Sequence, residues 1–331
     1  MNFRMIHENY NVKDLQASLA FYGEALGLRE ARRITNDAFT IVGAGYRTHR
    51  PAVRKKGFWE RLKGKPILSV AVFSVIALGC LFSGLIINHD PAEFFLMNVN
   101  EAPNAEFWFG TDSLGRDIYS IIWYGGRASI SIGLMSAAVI TFIGVFYGCL
   151  SGAASGVVDG AMMRAVELLQ SVPVLLSLLL ILSLMGKQNE LTIALVIGVT
   201  GWFPLSRIVR SEVRQIRNSE YILASRCMGA GFPFIMRRHL IPNFVSAIMF
   251  VVISSISTSM AMEATLSFLG LGLPTDVLSW GSMLALADRA LLLNSWWVIL
   301  IPGVFLVVTL LSITSIGHYF RKRSNQGPSN L

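Results

Sequence analysis

The amino-acid sequence predicts an all-α polytopic membrane protein with six transmembrane helices and a small α/β fragment at its N-terminus. Of the 331 residues, 53% are hydrophobic and only 15% are charged, whereas soluble domains carry about 25% charged residues. Apolar runs recur along the chain at lengths that suit the roughly 20 residues a bilayer requires. The net charge is +8, but basic residues cluster beside these runs and do not interleave with aromatics. This pattern argues against nucleic-acid binding.

Residues 1–46 read as a short strand, an amphipathic helix that stops at Gly27, and a second strand. Leucine and tyrosine are spaced for one helical face, at Leu15, Leu19, Tyr22 and Leu26. This opening resembles the start of a glyoxalase-like module, and the resemblance implies that His7 is the remnant of a metal site. A working site needs several ligands in fixed geometry, and only one matching ligand is visible. We therefore expect a truncated fragment without metal-dependent lyase activity.

A basic lead, residues 47–65, precedes a predicted membrane domain over residues 66–320 and a tail over 321–331. The predicted spans are residues 66–88, 128–150, 168–186, 191–204, 243–264 and 295–317. Lys and Arg accumulate before the first span, between the fourth and fifth, and after the sixth, whereas acidic residues predominate between the first and second. Because cytoplasmic segments of membrane proteins are enriched in Lys and Arg, both termini are predicted to lie in the cytoplasm.

Glycine recurs every fourth residue from Gly144 through Gly148, Gly152 and Gly156 to Gly160. On a helix such a stripe allows a neighbouring backbone to approach closely. Tight helix packing is the favoured interpretation, and a moving, flexible element is the alternative.

Glu263 is an acidic residue inside a predicted span, and an intramembrane carboxylate is a functional candidate by default. A local polar network is one interpretation and contact with a substrate or cation is the other. Nearby hydroxyls, including Ser255 and Thr258, fit two roles equally well. They either line a polar pathway or bond within their own helix.

Residues 206–242 form a basic segment between the fourth and fifth spans. The pattern predicts a helix continuing out of span four, a break at Gly229 and Gly231, and a second short helix that ends at Pro242. The segment is too apolar for a solvated loop, with Ile222, Leu223, Phe232, Phe234, Ile235 and Met236. Either the cytoplasmic face of the protein or the groove of a partner protein should cover these side chains.

The same segment, "YILASRCMGAGFPFIMRRHLIPN", resembles the EAA loop of bacterial ABC importer permeases. Leu223, Ala224 and Ser225 stand at the EAA positions, and Leu223 replaces the glutamate. The resemblance implies a coupling helix that docks on a cytoplasmic ATPase. The coupling residues it implies are Ala224, Ser225, Gly229, Arg237, His239, Ile241 and Pro242.

Three further stretches resemble the second permease of dipeptide, oligopeptide and nickel importers: "WFGTDSLGRDIYSIIWYGGRASISIGL", "VVDGAMMRAVELLQSVP" and "EATLSFLGLGLPTDVLSWGSML". The resemblance implies a membrane pathway for di- or oligopeptides, with nickel or a metal chelate as the alternative cargo. In the first stretch, Asp112, Arg116 and Asp117 either pair locally or contact substrate. A non-transporting membrane scaffold is a more distant alternative.

The resemblance also implies the partners: a homologous second permease subunit, cytoplasmic ATPase subunits, an extracytoplasmic solute-binding protein and the lipid of a bacterial inner membrane. The sequence contains no Walker A pattern. We therefore expect a transport subunit that is not an enzyme and binds no cofactor, while ATP is used by its partner subunits.

Overall fold

The computed structural model describes residues 66–186, 188–217, 241–274 and 277–324, together with parts of the N-terminal region and of the basic loop. In the N-terminal region these are residues 16, 20, 24, 29–36 and 39–45, and in the loop 222, 225, 227–229, 231–235 and 237. The chain separates into two compact units, Met1–Lys63 and Gly64–Leu331.

The N-terminal unit contains a two-stranded antiparallel sheet. Strand β1, Arg29–Asn36, pairs with β2, Phe39–Gly45, with a register irregularity between Glu30 and Arg32. Before the sheet, residues 16, 20 and 24 are helical and exposed, and their spacing of four places them on one outward face. Strand β1 coincides with the strand expected after Gly27. The first expected strand, the apolar helix face and His7 lie outside the described residues.

The second unit is helical, and its elements follow in chain order. They are α1 Ile67–Leu81, α2 Ser83–Ile86, α3 Ile118–Ala153, α4 Gly156–Gln170, α5 Val174–Met185, α6 Glu190–Gly201, α7 Phe203–Arg217, α8 Phe232–Ile235, α9 Ile241–Phe268, α10 Trp280–Leu284, α11 Ala287–Leu292 and α12 Trp297–Ser324.

Within the described residues, three single helices are long and apolar enough to cross a bilayer: α3, α9 and α12. The pairs α4–α5 and α6–α7 qualify only as bent spans, with bends of 78° and 47°. Helix α1 is apolar but 15 residues long. All six predicted spans therefore coincide with apolar helices, but a count of six complete crossings stays a prediction.

Prolines account for both bends. Pro173 lies immediately before α5, and Pro204 is the second residue of α7. A proline lacks the N–H that continues a helix, and its ring clashes with the carbonyl four residues earlier. The third predicted span, 168–186, is bent at Pro173, as a proline within an apolar run predicts, and its residues 168–170 belong to α4. The predicted continuation of span four exists, but as the separate helix α7.

Helix α3 is the central element of the membrane unit, because α1, α6, α7 and α9 all pack against it. Asp117 begins the helix by accepting hydrogen bonds from the N–H groups of Tyr119 and Ser120. The helix therefore starts well before the predicted span at residue 128. At 1.5 Å per residue it is about 54 Å long, longer than the hydrocarbon core of a bilayer.

The glycine stripe divides into two parts. A Cβ atom on Gly144 would meet Leu205 at 3.0 Å, one on Gly148 would meet the carbonyl oxygen of Ser206 at 2.6 Å, and one on Gly152 would meet Val213 at 2.8 Å. Here the predicted tight packing is confirmed, between α3 and α7. Gly156 and Gly160 belong to α4, and no described residue packs within 4 Å of their Cβ positions, so within the described structure the packing stripe does not extend to them.

Candidate functional site

The basic loop is folded against the helices that flank it. Ile222, Ser225 and Cys227 are helical, Gly229 lies in a turn, and the short helix α8 follows at Phe232–Ile235. Gly229 has a φ of +86°, in the left-handed region that side chains avoid. The predicted helix break therefore falls at Gly229.

Two isoleucines of this loop are buried within the protein itself. Ile222 and Ile235 join a hydrophobic cluster with residues of α3, α7 and α9. Met228 and Phe234, in contrast, are 81% and 56% exposed. The protein's own helices thus cover the isoleucines, whereas Met228 and Phe234 are exposed.

The described members of the predicted coupling set occupy different environments. Ser225 is buried, whereas Gly229 and Arg237 are exposed; Ala224 and His239 lie outside the described residues. Ile241 and Pro242 are the first two residues of α9. The prediction that Pro242 ends the short helix was wrong, because a proline in the first turn of a helix removes no intrahelical hydrogen bond.

A charged cluster joins α3, α4 and α7 next to this loop. The Asp159 carboxylate accepts hydrogen bonds from the Ser151 hydroxyl at 2.6 Å and from the Arg210 guanidinium at 2.5 Å. Arg214 is the third residue that donates to it, at 2.8 Å. The Asp159 side chain is 3% exposed, and paired charges of this kind stabilise only when geometry is good and the hydrogen bonds are satisfied. The three helices are therefore held at one point.

A third arginine of α7 holds the end of α3. Arg217 donates to the carbonyl oxygens of Ala153 and Ala154 at 2.7 and 3.2 Å, which are groups that a helix C-terminus leaves without partners. Arg210, Arg214 and Arg217 are spaced for one helical face.

Sequence reasoning interpreted the loop arginines only as topology signals and did not pair them with Asp159. The signal was their helical spacing, together with a single aspartate in the first turn of α4. Arg164, the basic residue of the "VVDGAMMRAVELLQSVP" stretch, instead forms an exposed pair with Glu167 at 2.7 Å.

Glu263 forms the centre of a second buried polar cluster. Its carboxylate accepts hydrogen bonds from the hydroxyls of Ser279 at 2.9 Å, Ser267 at 3.0 Å and Ser129 at 3.3 Å. Glu263 is fully buried. Its three donors come from α9, α3 and the segment that begins α10, which favours the interpretation as a local polar network.

The same cluster fixes the entry to α10. Ser279 caps this helix in a reciprocal arrangement with Ser282, and the backbone N–H of Trp280 donates to the Ser129 hydroxyl at 3.1 Å. The Trp280 indole donates to the carbonyl oxygen of Ile122 at 2.9 Å. A Cβ on Gly281 would lie 2.7 Å from a Glu263 oxygen, so the chain passes directly over the carboxylate.

The two hydroxyls predicted as alternatives for the pathway bond within α9. Ser255 donates to the carbonyl oxygen of Val252 at 2.7 Å, and Thr258 donates to that of Ser254 at 3.1 Å. Thr258 is also exposed. These contacts fit the helix-internal interpretation; a pathway role for either residue stays a prediction.

The charged residues of the loop before α3 pair with one another. Arg116 donates to the Asp112 carboxylate at 2.8 Å, and the same carboxylate accepts from the backbone N–H groups of Leu114 and Arg116. Asp117 caps α3 and lies 3.3 Å from His89. This geometry matches the local, structural interpretation of the motif.

Comparison with known proteins places these features in one family. The family model described as binding-protein-dependent transport system inner membrane component matches residues 144–326, which include the loop, the Asp159 cluster and Glu263. Among solved structures, an amino acid ABC transporter crystallised with histidines aligns at 16% identity and a TM-score of 0.46, over 61% of this chain and 94% of that chain.

Relatives of known description match most of the chain. The dipeptide transport system permease protein DppC of Bacillus subtilis is 36% identical over 261 residues, covering 78% of this chain and 81% of the relative. The oligopeptide transport system permease protein OppC of the same organism is 34% identical, over 77% of this chain and 83% of the relative. OppC of Haemophilus influenzae is 30% identical, over 81% of this chain and 85% of the relative.

Proposed function

Because this chain belongs to the family of binding-protein-dependent transport system inner membrane components, we propose that it is the permease subunit through which an ABC importer moves di- or oligopeptides. It is an integral protein of the bacterial inner membrane and a subunit of a larger transporter. Two such permeases line the pathway, a solute-binding protein delivers the peptide outside, and ATPase subunits drive the cycle from the cytoplasm. This chain contributes no ATPase site and binds no cofactor.

The observation that carries this proposal is the two-sided construction of the basic loop. Ile222 and Ile235 anchor the loop in the cluster shared by α3, α7 and α9, while Met228 and Phe234 remain exposed. A short helix with one buried and one exposed apolar face suits a groove on a partner protein. Movement of such a partner is transmitted to α7, and from α7 to α3 through the glycine contacts and Asp159.

The docking surface is tested by replacing its exposed side chains. We expect Phe234→Ala and Met228→Ala to weaken co-purification of the ATPase subunits and to lower peptide-stimulated ATP hydrolysis, because apolar side chains buried at an interface supply much of its binding energy. Met97→Ala is the matched control, since Met97 is 97% exposed in the loop between α2 and α3. Normal ATPase association in both loop variants would contradict the docking assignment.

The cytoplasmic position of the loop is tested with the natural cysteines. Of the three cysteines in the chain, Cys80 and Cys149 are buried and Cys227 is exposed. A membrane-impermeant maleimide should therefore label inverted vesicles but not intact cells, and Cys227→Ser should abolish the labelling. Added ATPase subunits should protect Cys227. Labelling from outside intact cells would reverse the proposed orientation.

The cargo is tested by uptake in cells that lack this gene and in complemented cells. We favour peptides because the DppC and OppC relatives are described as dipeptide and oligopeptide permeases. Loss of labelled di- and oligopeptide uptake, with nickel uptake unchanged, is the expected result. Loss of nickel uptake alone would move the protein to the metal-chelate alternative, and loss of neither would favour a scaffold.

A further inference from the structure

A cavity of about 820 Å³ lies where the loop before α3 meets the start of α6 and the segment before α10. Its lining includes Asp90, Tyr124, Arg127, Glu190 and Leu278. The volume falls within the roughly 300–1,000 Å³ typical of small-molecule sites. Among the described residues, four charged ones line the cavity. Arg116 is paired with Asp112, and Asp90 is exposed and accepts a hydrogen bond from the N–H of Ala92, which leaves Arg127 and Glu190 as one charge of each sign.

The positive charge is the guanidinium of Arg127. It lies over the ring of Tyr124, with the guanidinium carbon 4.4 Å from the ring centroid. An arginine over an aromatic face is held in place by cation–π attraction. The N–H donors of its guanidinium lie in the guanidinium plane and point outward from the edge of that plane. In the described part of the chain, no carboxylate forms a salt bridge with Arg127.

The negative charge is the carboxylate of Glu190, the first residue of α6. One of its oxygens accepts a hydrogen bond from the Ser131 hydroxyl at 3.0 Å, and the residue is half-buried. Ser131 lies one turn after Arg127 on α3, and positions four apart on a helix are about 5–6 Å from each other. Glu190 is thus held about one helical turn away from the point where Arg127 leaves α3.

Two opposite charges at fixed places in one cavity define the ligand that complements them. Neither has a salt-bridge partner among the described residues, and a charge-assisted hydrogen bond is about twice as strong as a neutral one. A ligand that carries both a carboxylate and an ammonium group satisfies both side chains at once.

We propose that this cavity binds a short zwitterionic peptide, with Arg127 taking its terminal carboxylate and Glu190 its terminal ammonium group. An extended chain advances 3.3–3.6 Å per residue, so a dipeptide spans about 7 Å, a length that a cavity of about 820 Å³ can hold. This site rests on the proposed function as a peptide permease and adds to it the residues that select free peptide ends.

The test is direct binding of labelled dialanine to the purified complex of permeases and ATPases, without the solute-binding protein. In the wild-type complex, dialanine with free ends should compete at least tenfold better than its N-acetylated or C-amidated form. Arg127→Gln should remove discrimination against the amidated peptide only, and Glu190→Gln should remove discrimination against the acetylated peptide only. Arg127→Lys should restore part of the wild-type preference.

Controls and contrary outcomes separate this proposal from the proposed function. Arg289→Gln and Glu106→Gln change exposed charges outside the cavity lining and should leave the preference unchanged. If cells take up peptide but both cavity variants discriminate between peptide forms as the wild type does, the proposed site is overturned. The permease function then stands. Normal receptor-free binding combined with lost receptor-dependent uptake would instead make the cavity a surface for the solute-binding protein. Absence of peptide uptake by the wild type would overturn the proposed function itself.

Discussion

At the scale of single residues, two buried carboxylates are stabilised by different means. Asp159 is paired with two arginines and a hydroxyl, whereas Glu263 accepts bonds from three serine hydroxyls. A buried carboxylate is costly unless it is paired or hydrogen-bonded. Each carboxylate therefore links the helices that supply its hydrogen-bond donors.

Asp159→Asn tests the charged cluster. The amide retains one acceptor oxygen but not the negative charge, so Arg210 and Arg214 lose their ion pair. Because hydrogen bonds to charged groups contribute about 1.5–3 kcal/mol each and both arginines are partly exposed, we expect the free energy of unfolding to fall by about 1–3 kcal/mol. Thermal unfolding of the detergent-purified protein measures this. Glu167→Gln, on the same helix and in an exposed pair, should have almost no effect; equal losses would contradict a structural role for Asp159.

Glu263→Ala tests the second cluster. Removing the carboxylate leaves three hydroxyls without their common acceptor and opens space beneath α10, so we expect lower thermal stability and strongly reduced peptide uptake. Glu263→Gln preserves the shape and one acceptor, and should lose less, about 1–3 kcal/mol. Thr265→Ala is the control, because that exposed hydroxyl on α9 bonds within its own helix. Full stability and uptake in Glu263→Ala would refute the network.

At the scale of elements, glycines of α3 allow close contact with the backbone of α7. Gly148 and Gly152 bring the α3 backbone against carbonyl oxygens of Ser206 and Arg210, at Cβ distances of 2.6 and 2.9 Å. Backbone that is this close cannot move aside as a flexible side chain does. The glycines therefore fix the distance between the central helix and the helix that leads into the basic loop.

Gly148→Ala should push α7 away from α3. The added methyl group meets backbone and the Val209 Cβ at 2.7 Å, and overpacking of this kind costs about 1–3 kcal/mol. We expect a lower unfolding temperature and a lower ratio of peptide transported to ATP hydrolysed. Gly160→Ala is the matched control. The added methyl group on α4 meets no described residue within 4 Å, so this change should be neutral or slightly stabilising. Indistinguishable behaviour of the two variants would show that the contact is not needed.

At the scale of the whole molecule, one helix connects the sites. The first half of α3 carries Arg127 and Ser129, which take part in the cavity and the Glu263 cluster. Its last turns carry Gly148 and Ser151, which contact α7 and Asp159. A single helix about 54 Å long thus bears residues of every cluster described in the membrane unit.

The N-terminal unit is expected to be dispensable for transport. Residues 1–46 lie in a compact unit of their own, Met1–Lys63, and the family model begins at residue 144. A chain without residues 1–46 should therefore restore peptide uptake to within about twofold of the full chain. A twofold change corresponds to a free-energy difference of less than about 1 kcal/mol. Uptake in complemented cells, normalised to the amount of membrane-inserted protein, measures this. Loss of uptake at equal protein levels would assign the fragment a function.

The sequence by itself determined the class of protein, the positions of the apolar helices and the family motifs. These follow from local properties: an apolar run long enough for a bilayer is visible in any window, and Pro173, Pro204 and Gly229 limit the backbone wherever they occur. Only the tertiary structure decided which polar groups meet. The arginine partners of Asp159 lie 51 and 55 positions away, and Ser129 lies 134 positions from Glu263. Helical spacing places Arg210 and Arg214 on one face, but the sequence does not indicate which residue they meet, because distant residues are brought together by helix packing, and packing depends on the shapes of all the neighbouring side chains at once.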